Sequence, residues 1–138
     1  MPKVERFEDL EVWKNARKLA NMVYRVTQNE RFSKDFGLKD QVRRAAVSIL
    51  SNIAEGFESQ SQKMFVDYLG RAKALAGELR AQLYLSLDLK YASQDEYSET
   101  NELALTCSKQ LARFIQYLRT QPTSFRVNEE EVKYHVSD

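Results

Sequence analysis

The chain of 138 residues reads as all-α: an antiparallel up-down four-helix bundle with a C-terminal tail. Three observations predict this. Apolar residues recur at steps of three and four over four long stretches, the period of a helix with one buried face. Four Gly and two Pro in the whole chain are too few for a turn-rich all-β fold. Hydrophobic residues at 43% and charged residues at 30% give the profile of one folded domain, long enough for a core and too short for two.

The first helix runs from Leu10 to Thr27, with Val12, Ala16, Leu19, Val23 and Val26 stepping by 4, 3, 4, 3. The second carries Leu38, Val42, Ala45, Ile49 and Ile53. Between them RFSKDFG ends in Gly37, expected to be the left-handed residue that reverses the chain. Gly56 is expected to close the second helix, and Ser59 with Gln62 to form a capping box that opens the third. The third helix follows through Phe65, Tyr68, Leu69, Ala72, Leu75, Leu79 and Leu83 to about Leu89. A second capping box, Ser93 with Glu96, starts the fourth, whose stripe is Tyr97, Thr100, Ala104, Cys107, Leu111, Phe114 and Leu118. Pro122 ends the pattern. Residues 1–119 are therefore the bundle and residues 120–138 an acidic tail. The tail pieces Phe125, Val127, Val132, Tyr134 and Val136 are compatible with disorder, or with a strand or arm added to a neighbouring subunit.

The overall net charge of +1 excludes a histone-like binder but not a local basic patch. Residues 120–138 carry Arg126 and Lys133 against Glu129, Glu130, Glu131 and Asp138, which leaves 19 basic and 16 acidic groups in the bundle. The single cysteine fits a reducing compartment, and no stretch of apolar residues is long enough to span a membrane or to serve as a signal peptide, so a cytoplasmic protein is expected.

The chemistry of catalysis is nearly absent. The one histidine, His135, lies in the tail, so neither a nucleophile–His–acid triad nor the Glu-x-x-His of a di-iron bundle can be assembled from the helices. Cys107 lies on an apolar stripe, where an inert thiol is expected. Gly37, Gly56, Gly70 and Gly77 are scattered and build no phosphate cradle. Glu55, Asp67 and Glu78 read as solvated or ion-paired carboxylates. The chain is read as a non-enzyme with no catalytic residue, metal or cofactor.

Binding is a different matter. The apolar arc of the first helix, widened by Trp13, Ala20 and Tyr24, spans roughly 200° where a core-facing helix needs only ~100°. The second helix is widened likewise by Val47, Leu50 and Ala54. On the third, Gly70, Ala74, Gly77 and Ala81 form a ribbon of small residues opposite the core, although a mid-helix Gly costs about 0.5–1 kcal/mol relative to Ala. A twisted bundle that buries more than one face explains these features. So does a homo-oligomer in which Trp13, Tyr24 and the ribbon meet a neighbouring chain, the reading adopted here. Gln41, Arg44, Ser48, Asn52 and Glu55 share one face of the second helix, either as a solvated line or as a polar network across helices or subunits. Lys14, Lys18 and Arg25 line one side of the first helix, Lys39, Arg43 and Arg44 cluster on the second, and Lys73 and Arg80 repeat on the third. One such stripe is an ordinary solvated face. Repeated around an oligomer, the stripes become a multivalent belt for phosphates. Exposed aromatic residues are few on these stripes, so base stacking is not indicated.

The segments FEDLEVWKNARKLANMVY, GLKDQVRRAAVSILSNIAEG and MFVDYLGRAKALAGELRAQL resemble bacterial proteins of the 23S rRNA intervening-sequence type. The resemblance covers Phe7 to Arg119 and is most specific where Ser48, Asn52, Ile53, Ala54, Glu55 and Gly56 occur together. This chain departs from it with Ala74-Leu75 where Gly-Ser is common, and with Lys90 where a Gly often precedes the last helix. The resemblance implies a homopentameric ring of four-helix bundles, encoded within rRNA insertions or standing alone. It also implies kinship with the accessory proteins of diversity-generating retroelements, which bind a reverse transcriptase and its template RNA. Structured RNA or DNA, a reverse transcriptase and further copies of the chain are thus the expected partners, with no membrane. RNA binding then predicts that replacing Arg43 and Arg44 by Glu weakens affinity. A protein-binding scaffold ring without nucleic-acid affinity is the alternative.

Overall fold

A computed structural model describes residues 3–122 and 127–134. Among them are five α-helices and two short 3-10 turns, and no strand. Four long helices share one core: α1 (Glu11–Val26), α3 (Phe36–Glu58), α4 (Gln62–Asp88) and α5 (Gln94–Arg119). The short α2 (Glu30–Lys34) bridges α1 and α3, and the 3-10 turns are Phe7–Asp9 and Glu129–Val132. The helix α1 packs on α3 and α5, and α4 packs on the same two, so α1 and α4 face each other diagonally. Between α4 and α5, Gln62 meets Leu118, Arg80 meets Asn101 and Tyr84 meets Tyr97, so ascending positions on one helix meet descending positions on the other.

The apolar stripes become the core. Val12, Ala16, Leu19, Val23 and Val26 are buried, as are Val42, Ala45, Ile49 and Ile53. Phe65, Leu69, Ala72, Leu79 and Leu83 join them from α4, and Tyr97, Ala104, Cys107, Leu111, Phe114 and Leu118 from α5. The wide arc of α1 is largely absorbed within the chain. Ala20 is buried, and Trp13 is half-buried with the Phe7 ring edge-on at 5.1 Å.

The connections differ from the expected ones, each for a physical reason. Gly37 does not reverse the chain: it is the second residue of α3, and no glycine has a positive φ. The reversal is made by α2 and Asp35, whose carboxylate accepts from Leu38 N at 3.1 Å and caps α3. Gly56 does not close its helix, which continues to Glu58; Gln60 (φ 54°) makes the left-handed turn instead. Gly56 serves close packing, since a Cβ there would lie 2.8 Å from Phe65 Cδ1 and 2.9 Å from Tyr68 Cβ. The Ser59–Gln62 capping box does not form. Ser61 caps α4 by accepting from Met64 N, while the Gln62 amide donates to the carbonyls of Leu118 and Gln121 at the end of α5. The Ser93–Glu96 capping box is present with both of its hydrogen bonds.

The described part of the tail folds onto its own bundle. Val127 and Val132 are buried, Val4 N donates to Val127 O, and Asn128 N donates to the Tyr117 hydroxyl. Glu129 accepts from Glu11 N at 2.5 Å and from the Tyr134 hydroxyl at 2.8 Å. Its carboxylate thus caps α1, whose own N-cap Leu10 offers no side-chain acceptor. Burial raises the Glu129 carboxyl above its ordinary range, against the opposing pull of these two donors. Phe125, Arg126, His135, Val136 and Asp138 lie outside the described residues.

Two substitutions test this account. Gly56→Ala is expected to destabilise by about 1–3 kcal/mol through overpacking, although Ala is the better helix former. Lys90 has a φ of 60°. Lys90→Gly removes that left-handed strain and is expected to stabilise by about 0.5–1 kcal/mol. Thermal unfolding followed by circular dichroism reads both, and the opposite sign in either rejects the corresponding local account.

Candidate nucleic-acid interface

The eight basic residues singled out by spacing do not form one patch. Lys14, Lys18 and Arg25 are exposed on the outer face of α1. On the neighbouring α3, Arg44 is exposed, while Lys39 and Arg43 are half-buried toward α1 and α2. Arg43 Nε donates to Thr27 Oγ1 at 2.8 Å, and its guanidinium lies 4.4 Å from the Tyr24 ring centroid. Lys39 Nζ donates to Ser33 O at 3.4 Å and sits 4.8 Å from the Phe36 centroid. Lys73 and Arg80 belong to the diagonal helix α4, and Arg80 Nε donates to Asn101 Oδ1 across the α4–α5 contact. Structure therefore turns Arg43 toward α1 and Lys39 toward α2, places Arg44 on the other flank of α3 with Gln41 and Ser48, and leaves the α4 pair apart.

None of these cations forms an ion pair among the described residues, although Lys14 lies near enough to Glu129 to favour the charged form of that carboxylate. Two ion pairs form among the described residues, Arg6–Glu8 at 2.9 Å and Lys34–Glu30 at 3.3 Å, and none of the eight takes part in either. Guanidinium groups lie over rings instead: Arg17 on Trp13, Arg31 on Tyr91, Arg43 on Tyr24 and Arg71 on Tyr68. Spacing alone could not reveal these pairs. Only Tyr68/Arg71 and Trp13/Arg17 are close enough in sequence to suggest themselves as helical neighbours.

The residues expected at an assembly face fall into three groups. Trp13 is packed by Phe7 and Arg17, and its sealed Nε1 finds no acceptor among the described residues. Tyr24 retains 40% of its surface beneath Arg43. Gly70, Ala74, Gly77 and Ala81 are all exposed, and a Cβ on either glycine would meet nothing within 4 Å. Met64 flanks this ribbon on one side, and Tyr84, Leu85 and Leu89 on the other, all of them exposed. On α3, Gln41, Arg44 and Glu55 are exposed and Ser48 and Asn52 half-buried. Asn52 Nδ2 donates to Ser48 O at 2.7 Å within the same helix, so the polar line makes a local bond and not a bridge to another helix of the chain.

Elsewhere the polar groups are committed to structure. An open cleft of about 560 Å³ is lined by Asn29, Arg31, Tyr91 and Glu96. Asn29 Nδ2 donates to Tyr91 O and Glu96, Glu96 caps α5, and Arg31 lies over the Tyr91 ring. Glu55, Asp67 and Glu78 are exposed. Among the described residues no three His, Cys, Asp or Glu side chains gather as a metal site, and no helix is long and apolar enough to cross a membrane.

Such a bundle of four long helices around one core defines a class of small all-α proteins. Residues 8–113 match the family of 23S rRNA-intervening sequence proteins, and the chain belongs to that family. It is similar to a crystal structure from Bacteroides thetaiotaomicron, described as a protein with unknown function from the S23 ribosomal protein family. The two share 27% sequence identity and a TM-score of 0.70, over 76% of this chain and 98% of that one. No curated protein matches the chain.

Burial pushes the Cys107 thiol up to about 12, which removes the thiolate at neutral pH. Thiol labelling of native protein at pH 8 is therefore expected to run at the rate of unfolding and to accelerate sharply in denaturant. Rapid native labelling rejects the buried, unreactive assignment.

Proposed function

We propose that the chain is the non-enzymatic protomer of a homo-oligomer, an antiparallel up-down bundle repeated in a pentameric ring, that binds structured RNA through its basic stripes. The observation that carries this reading is that the basic residues of α1 and α3 singled out above form no ion pair among the described residues. One copy offers only a modest positive field, since the chain as a whole carries +1. Repetition around a ring multiplies the contacts, and affinity then grows through effective concentration without new chemistry. Family membership supports an RNA context. In this reading a reverse transcriptase holding its template RNA is a partner of fitting chemistry.

Assembly is assigned to the outer face of α4 and the adjoining flank of α3. Two glycines in mid-helix sacrifice helix propensity, and nothing in the chain itself uses the space they leave. The exposed apolar residues at both ends of the ribbon would be covered by a second helix lying along it. Ser48, Asn52 and Glu55 lie on the flank of α3 turned away from Arg43, and so toward this face.

Two measurements test the proposal. Light scattering is expected to show an oligomer for the native chain and a smaller species for Gly70→Leu with Gly77→Leu, whose helix propensity is improved and whose Cβ atoms meet no described residue within 4 Å. Binding of structured RNA is expected to fall by orders of magnitude between ~50 and ~200 mM salt, and replacing Lys14, Lys18 and Arg25 together by Glu to weaken it and flatten the salt dependence. An oligomer that ignores RNA at both salts rejects the nucleic-acid reading and leaves the protein-binding scaffold. A monomeric native chain rejects the ring.

A further inference from the structure

We propose that the seam between α1 and α3 captures unpaired bases of a single RNA strand, stacking them on rings that already hold a cation. This deepens the RNA-binding reading above and rests on it, and it departs from the expectation that exposed rings are too few for base stacking, because Tyr24 and Phe36 are exposed beside Arg43 and Lys39.

The seam presents three cation–aromatic pairs. Arg17 lies over Trp13 at 5.9 Å, Arg43 over Tyr24 at 4.4 Å, and Lys39 over Phe36 at 4.8 Å. Trp13, Arg17 and Tyr24 share the flank of α1 that turns to α3, where Arg43 reaches both Tyr24 and Thr27. Phe36, Lys39 and Arg43 stand at i, i+3 and i+7, one face of α3 over about 10 Å of rise. The Phe36 pair thus continues along α3 from the point where Arg43 meets α1, on the side where Lys39 meets α2.

The bland explanation is that each pair merely stabilises the chain, and its magnitude is too small for Phe36. That ring stays 68% exposed and is not part of the core. An exposed cation–aromatic contact is worth roughly 0.5–1 kcal/mol, less than the roughly 1.5–3 kcal/mol that burying a Phe would contribute. The ring is left uncovered at the first position of α3, where any polar residue would serve the helix equally well.

The chemistry selects the ligand. A nucleobase offers a flat π-face to an open ring, and its phosphate takes an ammonium or guanidinium alongside. Bases in a duplex keep their faces in the stack, so an unpaired strand fits and a helix does not. The acids nearby do not compete strongly. Asp35 accepts from Leu38 N and the Tyr91 hydroxyl, and Asp40 points from the exposed face of α3.

Fluorescence anisotropy of the full chain tests this with short single-stranded adenosine and uridine RNAs and a duplex of equal length. Phe36→Ala and Tyr24→Ala are each expected to weaken single-strand binding by about fivefold or more, with duplex binding and the salt slope unchanged. Phe36→Trp is expected to keep or raise the affinity. Circular dichroism and light scattering confirm that fold and mass are retained. Single-strand binding unchanged in both Ala variants overturns the inference while leaving the RNA reading intact, as does an equal loss on duplex and single strand. A drop in oligomer mass for Phe36→Ala, with RNA affinity unchanged, assigns the ring to contact between copies and likewise overturns it. A native chain that binds neither RNA form at low salt removes the RNA reading together with this inference.

Discussion

The contact between Phe65 and Phe114, with ring centroids 5.3 Å apart, joins parts of the chain that lie far apart in sequence. Phe57 at the end of α3 meets Phe65 edge-on, and Phe114 also touches Tyr117 and the tail residue Tyr134. Aromatic pairs of this kind add about 0.5–1.5 kcal/mol each beyond the area they bury. They require Gly56, because a Cβ would strike the ring of Phe65. Polar bonds secure the same end. Gln62 holds the last carbonyls of α5, and Glu129 closes the open N-terminus of α1. The opposite end carries two separate aromatic contacts, Phe32 on Tyr91 and Tyr84 on Tyr97. It is fastened by Arg43 on Thr27, Asn29 on Glu96 and Tyr91 on Asp35. One end is thus locked by a linked aromatic cluster and the other by separate ring pairs together with hydrogen bonds.

Charge follows the same division. With nearly equal numbers of acids and bases, the surface had every opportunity to form ion pairs. Exposed pairs are worth little, because water screens them and two long side chains must be ordered. Several cations rest instead on aromatic faces, where the ring holds the side chain without cancelling its charge. A guanidinium so placed stays available to an anion, whereas one clamped by a carboxylate must first give up its partner. The near-neutral total therefore conceals a locally positive strip along α1 and α3.

Most of the core was legible in the sequence, because helical periodicity and burial are two views of one constraint. The stripes of α1, α3, α4 and α5 became buried sets almost residue for residue. Ser93 and Glu96 were legible for a local reason, since a capping box depends only on residues three apart. The misread features are those decided by tertiary contact. Gly37 and Gly56 looked like helix ends, but the turns fell to Asp35 and Gln60, and Gly56 is held by a close approach from α4. Gln62 looked like a capping residue and was drawn instead to carbonyls on α5. Lys90 was recognisable as a departure from the family pattern, and it occupies a left-handed position that glycine would fill more easily. At the candidate site the basic spacing was readable. The pairing of Arg43 with Tyr24 and Thr27 was not, because it crosses from α3 to α1.

Geometry separates the two surfaces on which function would depend. The small-residue ribbon lies on the outside of α4, diagonal to α1, while the cation–aromatic strip follows the junction of α1 and α3. Copies joined through α4 would leave the strip of every copy uncovered. Copies joined through α1 would bury the cations Lys14, Lys18 and Arg25 against one another, at a desolvation cost that no ion pair among the described residues offsets. Electrostatics therefore favours assembly through the uncharged ribbon and ligand capture through the charged seam. In the proposed assembly that division would let a chain of almost zero net charge present a repeated positive surface.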